Sequence, residues 1–210
     1  MQFLVIEGNI GSGKTTLATM LAHDFNARLI LEQFADNPFL PKFYKDPERY
    51  SFSLELSFLA DRYRQIKNEV LNRDLFHPMV VSDYYFSKTA VFAQNNLKAD
   101  EYNLFRQIFD MVSESAPKPD LYVYLYVETQ NLLKNIKQRG REYEQGISAK
   151  YLDDIGNGYF SYLRGIESFP VLILDVNNID FAHNNTHYQQ LKDILFKNKY
   201  KLGINRLNLT

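Results

Sequence analysis

Residues 8–16 read GNIGSGKTT, and this stretch decides which fold the chain can adopt. It matches G-x-x-x-x-G-K-[ST] in full, between an apolar run at 3–8 and a helical pattern. In that setting the glycines let backbone N–H groups turn toward phosphate oxygens at the start of a helix. We expect Lys14 to reach the β- and γ-phosphates of a nucleoside triphosphate, and the Thr15 hydroxyl to contact Mg²⁺. The predicted phosphate-binding residues are Gly8, Asn9, Ile10, Gly11, Ser12, Gly13, Lys14, Thr15 and Thr16.

Short apolar runs alternate with helical patterns along the rest of the chain. Strands buried on both faces are predicted at FLVIEG (3–8), RLILE (28–32), MVVSD (79–83), LYVYLYV (121–127) and VLILDV (171–176). Helices are predicted over 14–25, 48–73, 84–96, 100–115, 129–139, 148–167 and 186–198. This order predicts a three-layer α/β fold, in which helices flank a five-stranded parallel sheet, as a single domain over residues 1–210.

Composition and charge argue against several classes of protein. The chain has 210 residues, a formal net charge of -1 and no cysteine. A nucleic-acid partner is not expected, because phosphate backbones demand clustered lysine and arginine. The absence of cysteine excludes disulfides and thiolate chemistry. The sequence shows no membrane span or signal peptide, so we expect a cytoplasmic protein without a membrane partner.

The fate of the phosphate is the next question, since GTPases, kinases and ATP-binding modules share this loop. A regulatory GTPase is disfavoured because the chain lacks an N-K-x-D motif and a D-x-x-G motif after the third strand. A kinase that phosphorylates a small molecule is therefore the leading class.

Four ordered motifs identify a more specific resemblance. They are GNIGSGKTT, the Glu32 of ILEQFADNPFL, the stretch FYKDPERYSFSLELSFLADRYRQ, and RGREYEQGI. Together they resemble the deoxyribonucleoside kinase family over residues 3–176, most of all the bacterial deoxyadenosine and deoxyguanosine kinases. The resemblance implies ATP as phosphate donor, Mg²⁺, a deoxynucleoside acceptor and a homodimer. The apolar helices 48–73 and 84–96 also favour an interface between two copies.

The resemblance assigns roles to residues on both sides of the reaction. Glu32, expected at the carboxyl end of a strand, would accept the proton of the attacking 5′-hydroxyl. Residues 138–148 would form a lid whose Arg139 and Arg141 neutralise charge on the transferring phosphoryl group. Glu144 from the lid and Tyr44 from the other side would contact the sugar 3′-hydroxyl.

One face of the predicted helix at 48–73 carries residues that could recognise the base. Glu55, Phe58, Leu59, Arg62 and Ile66 share one face at helical spacing. Glu55 and Arg62 are about 10.5 Å apart along the axis, which suits two groups that grip one flat ligand. The alternative is an exposed face with an incidental pair of charges.

The chain departs from the family pattern after the third strand. Many relatives carry an acidic-Arg-Ser triplet there, but the aligned residues are Ser82-Asp83-Tyr84 or, shifted by one, Asp83-Tyr84-Tyr85. The arginine is absent in both alignments, whereas Asp83 remains as a candidate Mg²⁺ ligand through water. Lys88 stands where relatives offer an aspartate to the base, and Glu55 where many have glutamine.

These exchanges suggest that Glu55 and Lys88 pair with each other. A carboxylate only accepts hydrogen bonds, so Glu55 suits the amino group of adenine, or the N1–H and amino group of guanine. Lys88 and Arg62 would donate to the base, and Phe58 and Phe92 would stack near it. We therefore expect a purine deoxynucleoside, without a choice between adenine and guanine. The alternatives are a nucleoside monophosphate kinase of the thymidylate kinase type, or a non-catalytic ATP-binding module.

Overall fold

The computed structural model describes residues 1–33, 37–71 and 76–208, except for the side chains at positions 71, 143 and 208. The strands within these residues are β1 (Phe3–Gly8), β2 (Arg28–Ile30), β3 (Val80–Ser82), β4 (Leu121–Tyr126), β5 (Pro170–Asp175) and β6 (Gly203–Asn208). The helices are α1 (Lys14–Asp24), α2 (Leu40–Lys45), α3 (Pro47–Leu71), α4 (Lys88–Asn96), α5 (Ala99–Ser113), α6 (Thr129–Arg139), α7 (Ala149–Arg164) and α8 (Asn185–Lys197). The last two residues of the predicted helix 48–73 lie outside the described part of the chain.

All described strands form one parallel sheet in the order β2-β3-β1-β4-β5-β6. The prediction of an α/β fold with a parallel sheet is confirmed, but the described sheet has six strands rather than five. The added strand, β6, pairs with β5 and places Ile204 beside Val171. Its sequence GINRLN mixes polar with apolar residues, which is typical of an edge strand and not of a strand covered on both faces. That is why apolar runs alone did not reveal it.

The sheet is covered on both sides, as the continuous apolar strands indicate. Along β1 the side chains alternate between the two faces. Leu4 and Ile6 pack on the side of α1 and α8, whereas Phe3 and Val5 pack on the side of α3, α4, α5 and α7. Each residue of β1 is buried. The three-layer arrangement therefore follows from burying both faces of strands that have no polar face.

Helix α4 differs from its prediction in start and in exposure. It begins at Lys88 rather than at residue 84, because residues 84–85 are irregular and residues 86–87 form a turn. Its Ala90, Val91 and Ala93 are buried, and the helix packs against α3, α5 and α7. The apolar character of 84–96 thus reflects packing within the chain, so the expectation that this helix offers an exposed interface is wrong. The short helix α2 was not predicted.

The carboxyl ends of the central strands meet at one edge of the sheet, where ligands bind in open α/β folds. The loop after β1 leads directly into α1. Glu32 follows β2 by two residues instead of ending it, and Asp83 follows β3 directly. This edge brings the phosphate loop and both carboxylates together. None of the described helices combines the length and apolar character that a membrane crossing needs.

Candidate active site

The loop between β1 and α1 has the backbone that phosphate binding requires. Gly11 and Gly13 adopt φ of 83° and 84°, a region that side chains with a Cβ rarely occupy. A Cβ on Gly13 would also lie 2.9 Å from the ring of Phe181. The hydroxyl oxygen of Ser12 is buried without a hydrogen-bond partner in the described residues. The loop is therefore shaped to hold an acceptor-rich group that the protein itself does not supply.

Lys14 and Thr15 begin α1 at the open end of this loop. Lys14 Nζ donates to the carbonyl oxygen of Asn9 at 3.2 Å. Burial, with Lys88 nearby, lowers the pKa of Lys14 to about 8. Thr15 Oγ1 donates to Asp83 Oδ2 at 2.5 Å, and the other oxygen of Asp83 accepts the backbone N–H of Glu32 at 2.8 Å. Two oxygen-bearing side chains thus lie together beside the lysine.

Glu32 is buried with a cation on each oxygen. Arg62 donates from Nε (2.8 Å) and Nη2 (2.5 Å) to Oε1. Lys88 Nζ donates to Oε2 at 2.5 Å. Burial alone would raise the pKa of Glu32, but Lys88 and Arg62 more than offset it and hold that pKa well below its usual range. Glu32 is therefore ionised and fixed in orientation.

These contacts revise the expected pairings of the base-reading residues. Lys88 pairs with Glu32, and Glu55 accepts a hydrogen bond from Asn96, so the predicted Glu55–Lys88 pair is wrong. Arg62 stacks its guanidinium 4.3 Å from the ring centroid of Phe58. The five residues predicted to share one face of α3 are all buried, which contradicts the alternative of an exposed face. Lys88 and Arg62 both donate to Glu32, so this carboxylate is oriented although the family arginine is absent.

Glu55 of α3 is a buried carboxylate with only one of its two oxygens hydrogen-bonded in the described residues. Its side chain is 1% exposed, and its Oε1 accepts from Asn96 Nδ2 at 2.8 Å. Burial raises the pKa of Glu55 to about 7, because Arg62, Asn96 and Lys88 offset only part of the desolvation. Its second oxygen, Oε2, has no hydrogen-bond partner in the described part of the chain.

The predicted lid follows α6 and holds three charged residues together. Arg139 and Arg141 both form ion pairs with Glu144, which is buried. Gly140 separates the two arginines at φ 73° and ends α6. Glu144 belongs to a 3₁₀ turn at Glu142–Glu144. Both arginines of the predicted lid thus contact its buried carboxylate.

Two clefts meet at the edge of the sheet. The first, called here the acceptor cleft, is lined by Ile10, Lys14, Thr15, Glu32, Leu40, Phe43, Tyr44, Leu54, Glu55, Phe58, Arg62, Asp83, Lys88, Phe92, Asn96, Arg139, Arg141, Glu144 and Tyr151. The second, called here the donor cleft, runs along the phosphate loop to residues 176–183. Lys14, Thr15, Arg139 and Arg141 line both. The acceptor cleft thus gathers every predicted catalytic, metal and substrate residue.

Comparison with known proteins agrees with this geometry. The family model described as deoxynucleoside kinase matches residues 4–198. The chain belongs to the deoxynucleoside kinase family. It is 33% identical to the deoxyguanosine kinase of Bacillus subtilis over 193 residues, covering 90% of this chain and 93% of that one. It is 29% identical to the deoxyadenosine/deoxycytidine kinase of the same organism over 197 residues, covering 90% and 89% of the two chains.

A solved structure of another kinase supports the fold. The deoxyadenosine kinase from M. mycoides with bound dCTP superposes with a TM-score of 0.78 at 22% identity, covering 94% of this chain and all of that one. At this identity the similarity concerns the fold alone. Membership of the family rests on the family model and on the sequence relatives.

Several residues in and beneath this candidate site were missed from the sequence. Asn96 lies eight residues after Lys88 and four after Phe92, so helical spacing could have placed it on the same face of α4. Glu7 was visible as a lone carboxylate in an apolar strand. It is fully buried and accepts from the backbone N–H of Tyr85 and the hydroxyl of Tyr159, beneath the loop. Tyr151 gave no local signal, because only the fold brings α7 to the cleft.

Proposed function

We propose that this chain transfers the γ-phosphoryl group of ATP to the 5′-hydroxyl of a purine deoxyribonucleoside, as a cytoplasmic enzyme of nucleotide salvage. Family membership supports the reaction class. The purine is supported by relatives described as deoxyguanosine kinase and deoxyadenosine kinase, and by the acceptor oxygens of Glu55. The single observation that carries the proposal is the meeting of two clefts at Lys14, Thr15, Arg139 and Arg141.

On the donor side, the loop N–H groups and Lys14 would bind the β- and γ-phosphates. Thr15 and Asp83 fit Mg²⁺, which prefers oxygen ligands and takes the remainder from phosphates and water. Held there, the ion would supply positive charge that offsets the charge of the phosphate oxygens. Arg139 and Arg141 would leave Glu144 and turn to the transferring group, since both already line the two clefts.

On the acceptor side, the 5′-oxygen would attack the γ-phosphorus as the bond to the β,γ-bridging oxygen breaks, and ADP would leave. The hydroxyl proton would pass to Glu32. Because two cations lower the pKa of this carboxylate, it is a weak base that aligns the hydroxyl well. Phosphoryl transfer depends mostly on such alignment and on charge stabilisation. We assign Arg62 and Lys88 the role of positioning Glu32. Both residues also line the acceptor cleft in which the base would bind.

Sugar and base recognition use the deeper part of the acceptor cleft. Tyr44 and Glu144 would contact the 3′-hydroxyl once the lid arginines release Glu144. Glu55 would accept from the purine, while Phe58 and Phe92 flank the same cleft. Flat aromatic walls beside buried polar groups are typical of pockets that orient a ring ligand.

We also propose a homodimer, with a different surface from the one expected on the helices predicted at 48–73 and 84–96. Leu104 and Met111 on α5 are 50% and 69% exposed, and Ile108 lies between them on the same face. An exposed apolar stripe of this kind marks an interaction surface. The family resemblance supports a second copy of the chain as the partner.

The proposed reaction is tested by measuring ADP release from Mg-ATP with each deoxynucleoside and each deoxynucleoside monophosphate. We expect turnover with deoxyadenosine, deoxyguanosine or both, and none with the monophosphates. Lys14→Ala serves as the control and should abolish turnover. Activity only with monophosphates would replace the proposal by a nucleotide kinase, and binding of ATP without any turnover would replace it by an ATP-binding module.

A further inference from the structure

Glu55 carries an oxygen that the protein leaves unused inside the acceptor cleft. The residue is 1% exposed, and Oε2 has no hydrogen-bond partner among the described residues. A buried carboxylate oxygen without a donor is costly, so such an atom marks a place where a ligand completes the hydrogen bonds. The ligand expected there is the base of the nucleoside.

The neighbouring Asn96 fixes how the two oxygens of Glu55 behave. Asn96 Oδ1 accepts the hydroxyl of Tyr151 at 3.4 Å, which leaves Nδ2 to donate to Glu55 Oε1 at 2.8 Å. Oε1 is therefore an acceptor whether Glu55 is charged or neutral. A proton on this carboxyl group belongs on Oε2, the oxygen without a donor.

The charges that face Glu55 come from several elements. Arg62 of α3 and Lys88 of α4 are both engaged by Glu32, so neither forms an ion pair with Glu55. Tyr151 of α7, Tyr44 of α2, and the lid residues Arg139, Arg141 and Glu144 also line the cleft, but the two lid arginines pair with Glu144. Because burial dominates these attractions, the pKa of Glu55 is about 7, and both forms exist near neutral pH.

The two forms of Glu55 present different hydrogen-bonding patterns. The neutral form offers a donor at Oε2 beside an acceptor at Oε1, which complements N1 and the N6 amino group of adenine. The ionised form offers two acceptors, which complement the N1–H and N2 amino group of guanine. We propose that Glu55 makes base selection depend on pH, so that its neutral form takes deoxyadenosine and its ionised form takes deoxyguanosine. This inference rests on the proposed function, because it names the substrates of the same site.

The size of the effect follows from the titration. The ratio of ionised to neutral Glu55 changes about tenfold for each pH unit. The preference for deoxyguanosine over deoxyadenosine, as a ratio of kcat/KM values, therefore rises at most about 100-fold from about pH 6 to about pH 8. We expect at least a tenfold rise. Ionisation of groups in the phosphate loop and of Glu32 changes kcat/KM for both substrates by the same factor, so its effect cancels in this ratio.

The kinetic test measures that ratio at about pH 6, 7 and 8 in the wild type and two variants. Glu55→Gln keeps the donor and acceptor of the neutral form but cannot ionise, so its ratio should favour deoxyadenosine and stay constant with pH. Glu48→Gln, an exposed residue of the same helix, is the matched control and should keep the wild-type profile. A constant wild-type ratio, or an equal rise in Glu55→Gln, would overturn the inference.

A binding measurement separates the inference from the proposed function. Calorimetry near pH 7 in two buffers of different ionisation enthalpy counts the protons exchanged. We expect uptake of protons on binding deoxyadenosine and release on binding deoxyguanosine, and neither with Glu55→Gln. Turnover with a constant ratio and no proton exchange would reject the role of Glu55 and leave the kinase intact. Opposite proton exchange for the two nucleosides without turnover would support the role of Glu55 and reject the kinase. Absence of binding would reject both.

Discussion

At the residue scale, Glu32 shows how a buried carboxylate is kept charged. Each oxygen accepts from one cation, at 2.5 Å from Arg62 Nη2 and at 2.5 Å from Lys88 Nζ. Buried ion pairs repay their desolvation only when geometry is good and the remaining hydrogen bonds are made. Here both oxygens are satisfied and the orientation of the carboxylate is fixed. A substrate hydroxyl placed beside it would meet an acceptor in a single defined position.

Replacing Glu32 by glutamine tests its proposed role as the proton acceptor. The amide cannot take the proton, and it cannot satisfy both cations, so we expect kcat to fall by about 10²- to 10⁴-fold. Binding of ATP to the phosphate loop should change little. Steady-state kinetics and ATP titration measure the two effects, with thermal unfolding to confirm that the variant is folded. Turnover near the wild-type rate would remove Glu32 from the mechanism.

Lys88→Met tests whether Lys88 positions Glu32. Loss of a charged hydrogen bond to a buried carboxylate should lower the free energy of unfolding by about 1.5–3 kcal/mol. Misplacement of Glu32 should lower kcat by about 10²-fold, with a smaller change in the KM for the nucleoside. The matched control is Lys150→Met, because Lys150 also lies 2.5 Å from a carboxylate, that of Asp154, but is 83% exposed. That exposed pair should contribute little to stability and nothing to turnover.

Equal effects of the two lysine substitutions would contradict the positioning role. So would a Lys88→Arg variant that restores stability but not kcat, because a second cation at this place should also orient the carboxylate.

At the scale of elements, α6 ends and the predicted lid begins at a glycine in the left-handed conformation. Gly140 adopts φ 73° between Arg139 and Arg141, and a Cβ there would meet no atom within 4 Å. Any cost of Gly140→Ala is therefore backbone strain, which we expect to lower the free energy of unfolding by about 1–2 kcal/mol. Gly146→Ala is the matched control, since it also has open space around a Cβ and no positive φ. Chemical denaturation of both variants measures the difference, and equal stabilities would be inconsistent with a left-handed Gly140.

The elements also show how far the sequence could predict the structure. The phosphate loop was predictable because its pattern is local and lies between a strand and a helix. Strand β6 was not, because it is an edge strand with a mixed sequence, in which the half-buried Asn205 donates to the carbonyl of Val171 at 3.3 Å. The partners of Glu32 were not either, since Arg62 and Lys88 lie 30 and 56 residues away along the chain. Helical spacing placed Glu55 and Arg62 on one face, but only the packing of α3 against α4 decides which carboxylate each cation contacts.

At the scale of the whole molecule, the apolar stripe on α5 predicts association of two copies. Light scattering at micromolar concentration should give a mass near twice the 24.7 kDa of one chain. The double substitution Leu104→Glu and Met111→Lys should shift that mass to the monomer and leave the chain folded, because both side chains are exposed. A wild-type monomer would refute the dimer. A dimer that the double variant preserves would place the interface elsewhere.

The central proposal for the whole molecule is that it moves the γ-phosphoryl group of ATP to the 5′-oxygen of a deoxynucleoside. The most direct test is ³¹P NMR of a reaction that contains the protein, Mg-ATP, deoxyadenosine and deoxyguanosine. We predict that the ATP signals are replaced by those of ADP and an equal amount of a purine deoxynucleoside 5′-monophosphate. Formation of ADP and inorganic phosphate without any monophosphate of the nucleosides, or unchanged ATP, would contradict the claim.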